Sequence, residues 1–237
     1  MISTILKFFL SSKRKRSIKE KLGVPGLHGC LQMLKQRGYR PTFVIDGGAY
    51  EGKWTLTFKE VFPSAKIIMI EAQESKSAVL TAITREYPDV LLHHCLLSDE
   101  DGRMLNFIEN ETASHVVLSS DSSENGRVSE SLDALLERKQ LPFPDFIKLD
   151  VQGFELMVLA GAEKSLKHAE FCLLEVTVLN LFDEPILLEV LTFMDKHNFQ
   201  AYDIAELMRR PYDNALYQID LLFAKKDSQF VTNRNWD

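Results

Sequence analysis

The sequence is poor in cysteine, and its three, Cys30, Cys95 and Cys172, lie far apart, each followed by leucine. That spacing excludes a zinc finger or ribbon and an even-numbered disulfide framework, and it points to a reducing, cytoplasmic compartment. It has no run of about 20 apolar residues of the kind a membrane-spanning helix needs. A secretory signal is excluded as well, because the apolar residues Ile2, Ile5, Leu6 and Phe9 precede the basic cluster Lys13-Arg14-Lys15-Arg16 instead of following it. A dinucleotide fingerprint G-x-G-x-x-G is missing, since the third position counted from Gly47 is Ala49. There is no internal repeat and no long low-complexity tract.

Positive charge is outnumbered by negative beyond the first 21 residues. These hold Lys7, Lys13, Arg14, Lys15, Arg16, Lys19 and Lys21 against Glu20 alone, whereas the whole chain has a formal charge of -6. The body is therefore acidic and a poor partner for nucleic acid. Residues 1–21 read as a short amphipathic helix with an apolar stripe and a basic end. Such a helix suits peripheral contact with the inner face of an anionic membrane, and it suits equally well capping the domain or packing on a second subunit.

What is present is an ordinary globular composition, 45% hydrophobic and 26% charged over 237 residues. This is most simply one domain with a sizeable core and an extension at one end. The boundaries read as an N-terminal helical extension over 1–40, a catalytic-type α/β domain over 41–226 and a C-terminal tail over 227–237.

The most informative stretch is Thr42 to Gly52, Thr-Phe-Val-Ile-Asp-Gly-Gly-Ala-Tyr-Glu-Gly. A short β-branched run reaches a carboxylate at Asp46 and then meets glycines, the pattern of a buried strand emptying into a tight turn before a helix. Gly48 and Gly52 are expected to let a ligand approach the backbone and to permit φ > 0. An acid at the strand end suits a ligand carrying an ammonium or sulfonium group better than a pyrophosphate.

The rest alternates. Helical spacing covers Leu27 to Leu34, stopped by Gly38, then residues 53–62, 75–86 and 186–197, with a further helix opening at Gly153 and running through Leu159. Apolar strands are expected at Lys66 to Glu71, Val90 to Leu97, Asp145 to Asp150, Phe171 to Glu175, Phe199 to Ile204 and Gln218 to Phe223, with short pieces at Met104 to Ile108 and His115 to Leu118. Strands alternating with helices imply an α/β fold with a mostly parallel sheet and ligands at the carboxyl ends of the strands. Glu71 lies at the spacing from Asp46 at which nucleotide-binding units place a carboxylate for ribose hydroxyls. Lys148 and Asp150 share a strand face by alternation, and a lysine in a buried strand needs a carboxylate partner. His93 and His94 read as structural, and the sequon Asn110-Glu111-Thr112 as chance.

The set Asp46-x-Gly48-Ala49-x-x-Gly52, Glu71, Ser98-Asp99, Leu132-Asp133, Lys148-Leu-Asp150-Val-Gln-Gly153-Phe-Glu155, Gly161-Ala162 and Gln218-x-Asp220-Leu-Leu-Phe223 resembles the FkbM-type family of S-adenosylmethionine-dependent methyltransferases. The resemblance implies a Rossmann-like class I methyltransferase fold, a seven-stranded sheet with helices on both faces and an antiparallel edge hairpin. It implies methyl transfer to a hydroxyl of a sugar, glycolipid or other small metabolite. Asp46, Gly47, Gly48, Ala49 and Gly52 would line the methionine end of S-adenosylmethionine, Glu71 and Ala72 the ribose, and Ser98 and Asp99 the adenine. Gln152 stands where the family commonly has Glu. The Asn/Asp-Pro-Pro-aromatic run of many amino-methylating enzymes and the Pro-Cys of cytosine-C5 enzymes are both absent, which leaves oxygen as the acceptor atom.

A hydroxyl acceptor needs a base or a metal ion. Asp150, Glu155 and Glu175 are the candidates, with Lys148 holding Asp150 and His115 as a second possible base; no metal ligands are assigned, and a metal-free base is favoured. Asp150 is alternatively a cap for the helix opening at Gly153. Two other functions stay open: a different adenosyl-cofactor transferase such as an aminopropyltransferase, for which no diacidic pocket is legible, and a non-catalytic adapter of the same fold.

Overall fold

The computed structural model describes residues 26–109, 115–117 and 126–236, of which 115–117 as backbone only. The basic segment 1–21, the sequon at Asn110 and the side chain of His115 lie outside the described residues. In chain order the strands are β1 Phe43–Gly47, β2 Lys66–Glu71, β3 Val90–His94, β4 Leu96–Ser98, β5 Met104–Ile108, β6 His115–Val117, β7 Gly126–Ser131, β8 Phe146–Leu149, β9 Phe171–Thr177, β10 Phe199–Arg209 and β11 Leu216–Lys225. No helix among the described residues is long and apolar enough to cross a membrane.

Seven strands form the main sheet in the order β10-β11-β9-β8-β1-β2-β3. From β3 to β9 neighbours run parallel, and β11 lies antiparallel to both β9 and β10. The α/β Rossmann-like fold and the antiparallel edge hairpin are therefore as expected. Every residue of β1 and β8 is buried, as strands covered by helices on both faces must be. Alternation then divides them: Phe43, Ile45, Ile147 and Leu149 enter one apolar core, while Val44 and Phe146 enter the core on the opposite face. Asp46 and Lys148 continue the second face and stand opposite each other in register.

The expected third strand, Val90 to Leu97, breaks at Cys95. Residues 90–94 stay with β2, whereas Leu96–Ser98 pairs with β7 in a second sheet of order β4-β7-β5-β6. The apolar run Val90, Leu91, Leu92 resumes at Leu96 and Leu97 after the break, although only the second half is fully buried, and so it conceals the change of partner. The hairpin strands reach further than expected, to Arg209 and from Leu216, since their outer parts carry exposed Leu207 and Met208 that give no alternating pattern. The limits at residues 41 and 226 do not coincide with the edge of the core: Leu31 and Leu34 of helix Leu27–Gln36, and Phe230 of helix Gln229–Thr232, are buried in the same cluster as Phe146 and Phe171.

Local chemistry fixes the strand ends. Asp145 Oδ2 accepts from the backbone N–H of Thr42 at 2.6 Å and of Phe43 at 3.0 Å, tying the start of β1 to that of β8. Asp133 accepts from Lys164 N, Ser165 N and Ser165 Oγ, capping the helix Glu163–His168. A Cβ on Gly161 would stand 2.4 Å from the Ser98 carbonyl oxygen and 2.9 Å from that of Asp99. Gly161→Ala is therefore expected to lower stability by about 1–3 kcal/mol, seen as a reduced denaturant midpoint at unchanged slope; an unchanged midpoint would show that the two segments part freely.

Candidate active site

The carboxyl ends of β1, β2, β8 and β9 surround a cavity of about 440 Å3. Its position is where parallel α/β sheets bind ligands, and its size falls in the usual range for small-molecule sites, roughly 300–1,000 Å3. One side is apolar, built from Ile70, Leu96, Leu97, Phe107 and Phe154, with Cys95 and Val151. The floor is polar, with Asp150, Gln152 and Glu175, and the mouth is formed by Met208, Tyr217 and Gln218. Outside the lining, Phe182, 70% exposed, makes an edge contact with the Tyr217 ring at 6.3 Å.

Lys148 organises the floor from below. Its ammonium lies 3.0 Å from Asp46 Oδ1 and 3.7 Å from Asp150, and donates to the carbonyl oxygens of Gly47 at 3.2 Å and Gly48 at 2.8 Å. Burial by itself would lower the pKa of Lys148, but the carboxylates of Asp46 and Asp150 outweigh it and raise it. Asp46 is fully buried and takes the Thr55 hydroxyl on its other oxygen at 2.6 Å.

Glu71 stands at the end of β2 with both oxygens engaged, accepting from Tyr50 N at 2.6 Å and Gln73 N at 2.8 Å. Burial raises its pKa, and these two backbone N–H groups act against that rise. Tyr50 adopts φ +49, and the Lys76 ammonium lies 4.2 Å from its ring centroid.

On the floor, the Gln152 amide nitrogen lies 3.0 Å from Asp150 Oδ1 and 2.7 Å from Glu175 Oε2. Asp220 of β11 sits opposite Glu175 in register. Burial, reinforced by Asp150 and other acids nearby, pushes the Glu175 carboxyl up to about 9, and burial with Asp150 pushes Asp220 up to about 7. Glu155 is buried beneath the loop, where its Oε1 accepts from Val151 N at 2.9 Å; burial pushes it up to about 7.

Of the residues expected from the sequence, Gly48, Glu71, Ala72, Asp150 and Glu175 line the cavity. Asp46, Gly47, Ala49, Gly52, Ser98, Asp99, Lys148 and Glu155 do not. Asp46 and Lys148 neutralise each other under the floor instead of facing a ligand. The lysine's nearer carboxylate is Asp46, so its part in holding Asp150 is secondary to holding the end of β1. Glu155 secures a backbone N–H. Ser98 is fully buried with its hydroxyl on Asp99, at the end of β4 where the strand pairs with β7. Gly48 and Gly52 both take the positive φ expected of the turn. Gly48 has φ +72, and a Cβ there would stand 1.8 Å from the Asp150 carbonyl oxygen. At Gly52, φ +73, a Cβ would meet Ile83 Cδ1 at 2.3 Å. Both glycines make room for the protein's own neighbouring segments.

Tyr50, Gln73, Phe107, Phe154, Met208 and Tyr217 line the cavity without having been singled out in the sequence. Asp220 had a signal in its position on an apolar strand. Of the two histidines, His94 bonds Ser77 Oγ at 3.0 Å and the Glu71 carbonyl oxygen at 3.2 Å, and His93 lies 3.3 Å from Glu130, which Arg138 also holds.

Comparison with solved structures finds an FkbM methyltransferase from Methylobacillus flagellatus KT, with 18% identity and a TM-score of 0.50, covering 78% of this chain and 43% of that one. The chain thus spans less than half of that relative's length. Magnesium protoporphyrin IX methyltransferase from Synechocystis PCC 6803, solved with bound SAM, gives 14% identity and a TM-score of 0.47, covering 84% of this chain and 77% of that one. For 1,6-didemethyltoxoflavin-N1-methyltransferase from Burkholderia thailandensis the values are 11%, 0.45, 89% and 83%. No curated protein matches the sequence. The profile of the methyltransferase FkbM domain matches residues 46–201, more than half of the chain, from the buried acid of β1 to the start of β10, and the chain therefore belongs to the FkbM methyltransferase family.

Proposed function

We propose that the chain transfers a methyl group from S-adenosylmethionine to a hydroxyl oxygen of a small acceptor, a sugar, glycolipid or other metabolite. The observation that carries this reading is the pairing, in one cavity, of Glu71 with an apolar wall on one side and two carboxylates at the ends of adjacent strands on the other. Glu71 suits ribose hydroxyls, the wall of Leu96, Leu97, Phe107 and Phe154 suits an adenine ring, and the Asp150 carboxylate suits a cationic sulfonium end. When bound, the cofactor supplies an electrophilic methyl group, and the protein is left to orient the acceptor in line and take its proton.

Asp150 is the proton acceptor in this reading. Its side chain is 43% exposed to the cavity and lies beside the Lys148 ammonium. Glu175, pushed up to about 9, keeps its proton near neutral pH and serves as a hydrogen-bond donor. Met208 and Tyr217 in the cavity lining suit an acceptor with an apolar portion. One observation favours a second reading: Asp150, Glu175 and Asp220 together would also suit an amine, as in an aminopropyltransferase. Mass spectrometry of products from sugar and diamine acceptors separates the two.

Titration calorimetry with S-adenosylhomocysteine tests the cofactor. Binding is expected, and Glu71→Ala should weaken it by about 1–3 kcal/mol, the contribution of hydrogen bonds to a charged group. No binding to the unaltered protein would refute the methyl-transfer reading.

A further inference from the structure

We propose that Gln152 is a positioning residue whose amide nitrogen occupies the place between Asp150 and Glu175 that a divalent cation would take, so that the two acids are held together by a neutral donor. The catalytic meaning of this clamp rests on the methyl-transfer reading; the clamp itself does not.

Asp150 follows the last residue of β8, and Glu175 lies near the end of the adjacent parallel strand β9. Two carboxylates brought together in a partly dry cavity repel unless a proton, a cation or a set of donors joins them. Here the joining group is a single nitrogen, 3.0 Å from Asp150 Oδ1 and 2.7 Å from Glu175 Oε2. A carboxamide has its two hydrogens on nitrogen only, so contact with two carboxylates selects that end of the side chain and uses both hydrogens.

The backbone makes this reach possible. Gln152 adopts φ +54, in the left-handed region that side chains other than glycine rarely enter, and Gly153 follows at φ +84. Strain of this kind persists where the surroundings over-determine it, and it gathers at functional sites. Val151, the residue before, has its N–H fixed by Glu155, so the loop is held from below while the amide points across the floor.

An amide carries no net charge and cannot neutralise the acids around it. Glu175 faces Lys148 from β8 and Asp150 just after it, Glu155 from the helix Glu155–Ala160, and Asp220 and Tyr217 from β11. Its folded-state pKa, up to about 9, lies above the unfolded value of about 4.3. The sign follows from linkage: Glu175 contributes stability while protonated and loses it as pH rises through this window. The two N–H donors favour the ionised form, so removing them costs most at high pH.

Two measurements on the full chain test the clamp, with S-adenosylhomocysteine calorimetry run beside them. In a Mn2+ titration followed by electron paramagnetic resonance, Gln152→Glu is expected to bind one Mn2+ per chain, and the double variant Gln152→Glu/Asp150→Asn to lose it. The unaltered protein should bind none at the concentrations that saturate the variant. In thermal melts from about pH 7 to about pH 10, the deficit of Gln152→Ala relative to the unaltered protein should stay level at the lower values and widen from about pH 9 upward, where Glu175 ionises in the unaltered protein before it does in the variant.

The proposal is overturned if the unaltered protein binds one Mn2+ that Asp150→Asn removes. It is also overturned if a folded Gln152→Glu protein, judged by its melt, binds none. A Gln152→Ala deficit that is the same at every pH would mark a plain packing contact and overturn it too. Should Gln152→Glu fail to fold, the unaltered protein's titration and the Gln152→Ala melts still decide. Absence of S-adenosylhomocysteine binding with the clamp results as expected would refute the methyl-transfer reading and leave the clamp standing.

Discussion

Asp150→Asn is expected to leave S-adenosylhomocysteine affinity and the melting temperature close to those of the unaltered protein, while turnover of any acceptor falls by about a hundredfold or more, the size of a lost general base. The sequence allowed Asp150 a structural alternative, capping the helix opening at Gly153. The structure assigns that region differently. The helix Glu155–Ala160 has Phe154 at its N-cap position with no side-chain cap bond, and the Val151 N–H is met by Glu155. Asp150 instead reaches the cavity floor, where Lys148 lies 3.7 Å away and Gln152 donates to it. The asparagine keeps an oxygen for Gln152 and loses the ability to take a proton, together with a charge that is the farther of the two carboxylates at Lys148. Single-turnover kinetics beside calorimetry provide the check, and full turnover in the variant would remove Asp150 from the role of proton acceptor.

Lys148→Met is expected to lower stability by about 3–5 kcal/mol, the cost of breaking a buried ion pair by removing one partner. The loss is large because Asp46 is fully buried and would keep a charge with only Thr55 and backbone around it, and because the Gly47 and Gly48 carbonyl oxygens would each lose a donor. Adding Asp46→Asn to the same chain should recover part of the loss, since the orphaned charge is then gone. Denaturant unfolding of the two single variants and the double variant measures this. A loss under about 1 kcal/mol in Lys148→Met would mean that the pair behaves like a surface ion pair and does not hold the floor.

How far the site was legible follows from which property each residue shows along the chain. Asp46, Glu71, Asp150 and Glu175 were all visible as acids closing apolar runs, and all four lie at the carboxyl end of the sheet. Period-two alternation placed Lys148 on the face of Asp150, and the required carboxylate exists. What alternation does not contain is the neighbouring strand. Asp46 meets Lys148 because β1 and β8 pair in a register that sets those two residues side by side, though they are about a hundred positions apart. The glycines were legible as sites of close approach and positive φ, but not as to what approaches. At Gly48 it is the Asp150 backbone, and at Gly52 the helix Ser77–Glu86.

The sequence by itself determined the order of elements, the α/β class, the strands that carry acids and the turn that needs glycine, because each of these is written in local spacing and conformational preference. Only the tertiary structure decided which acids face the cavity and which face one another, where the third strand leaves the sheet, and that Gln152 joins Asp150 to Glu175. The physical reason is that burial, desolvation and pairing are set by segments distant in the chain. A carboxylate at a strand end becomes a floor, a partner or a brace only when the neighbouring strand arrives beside it.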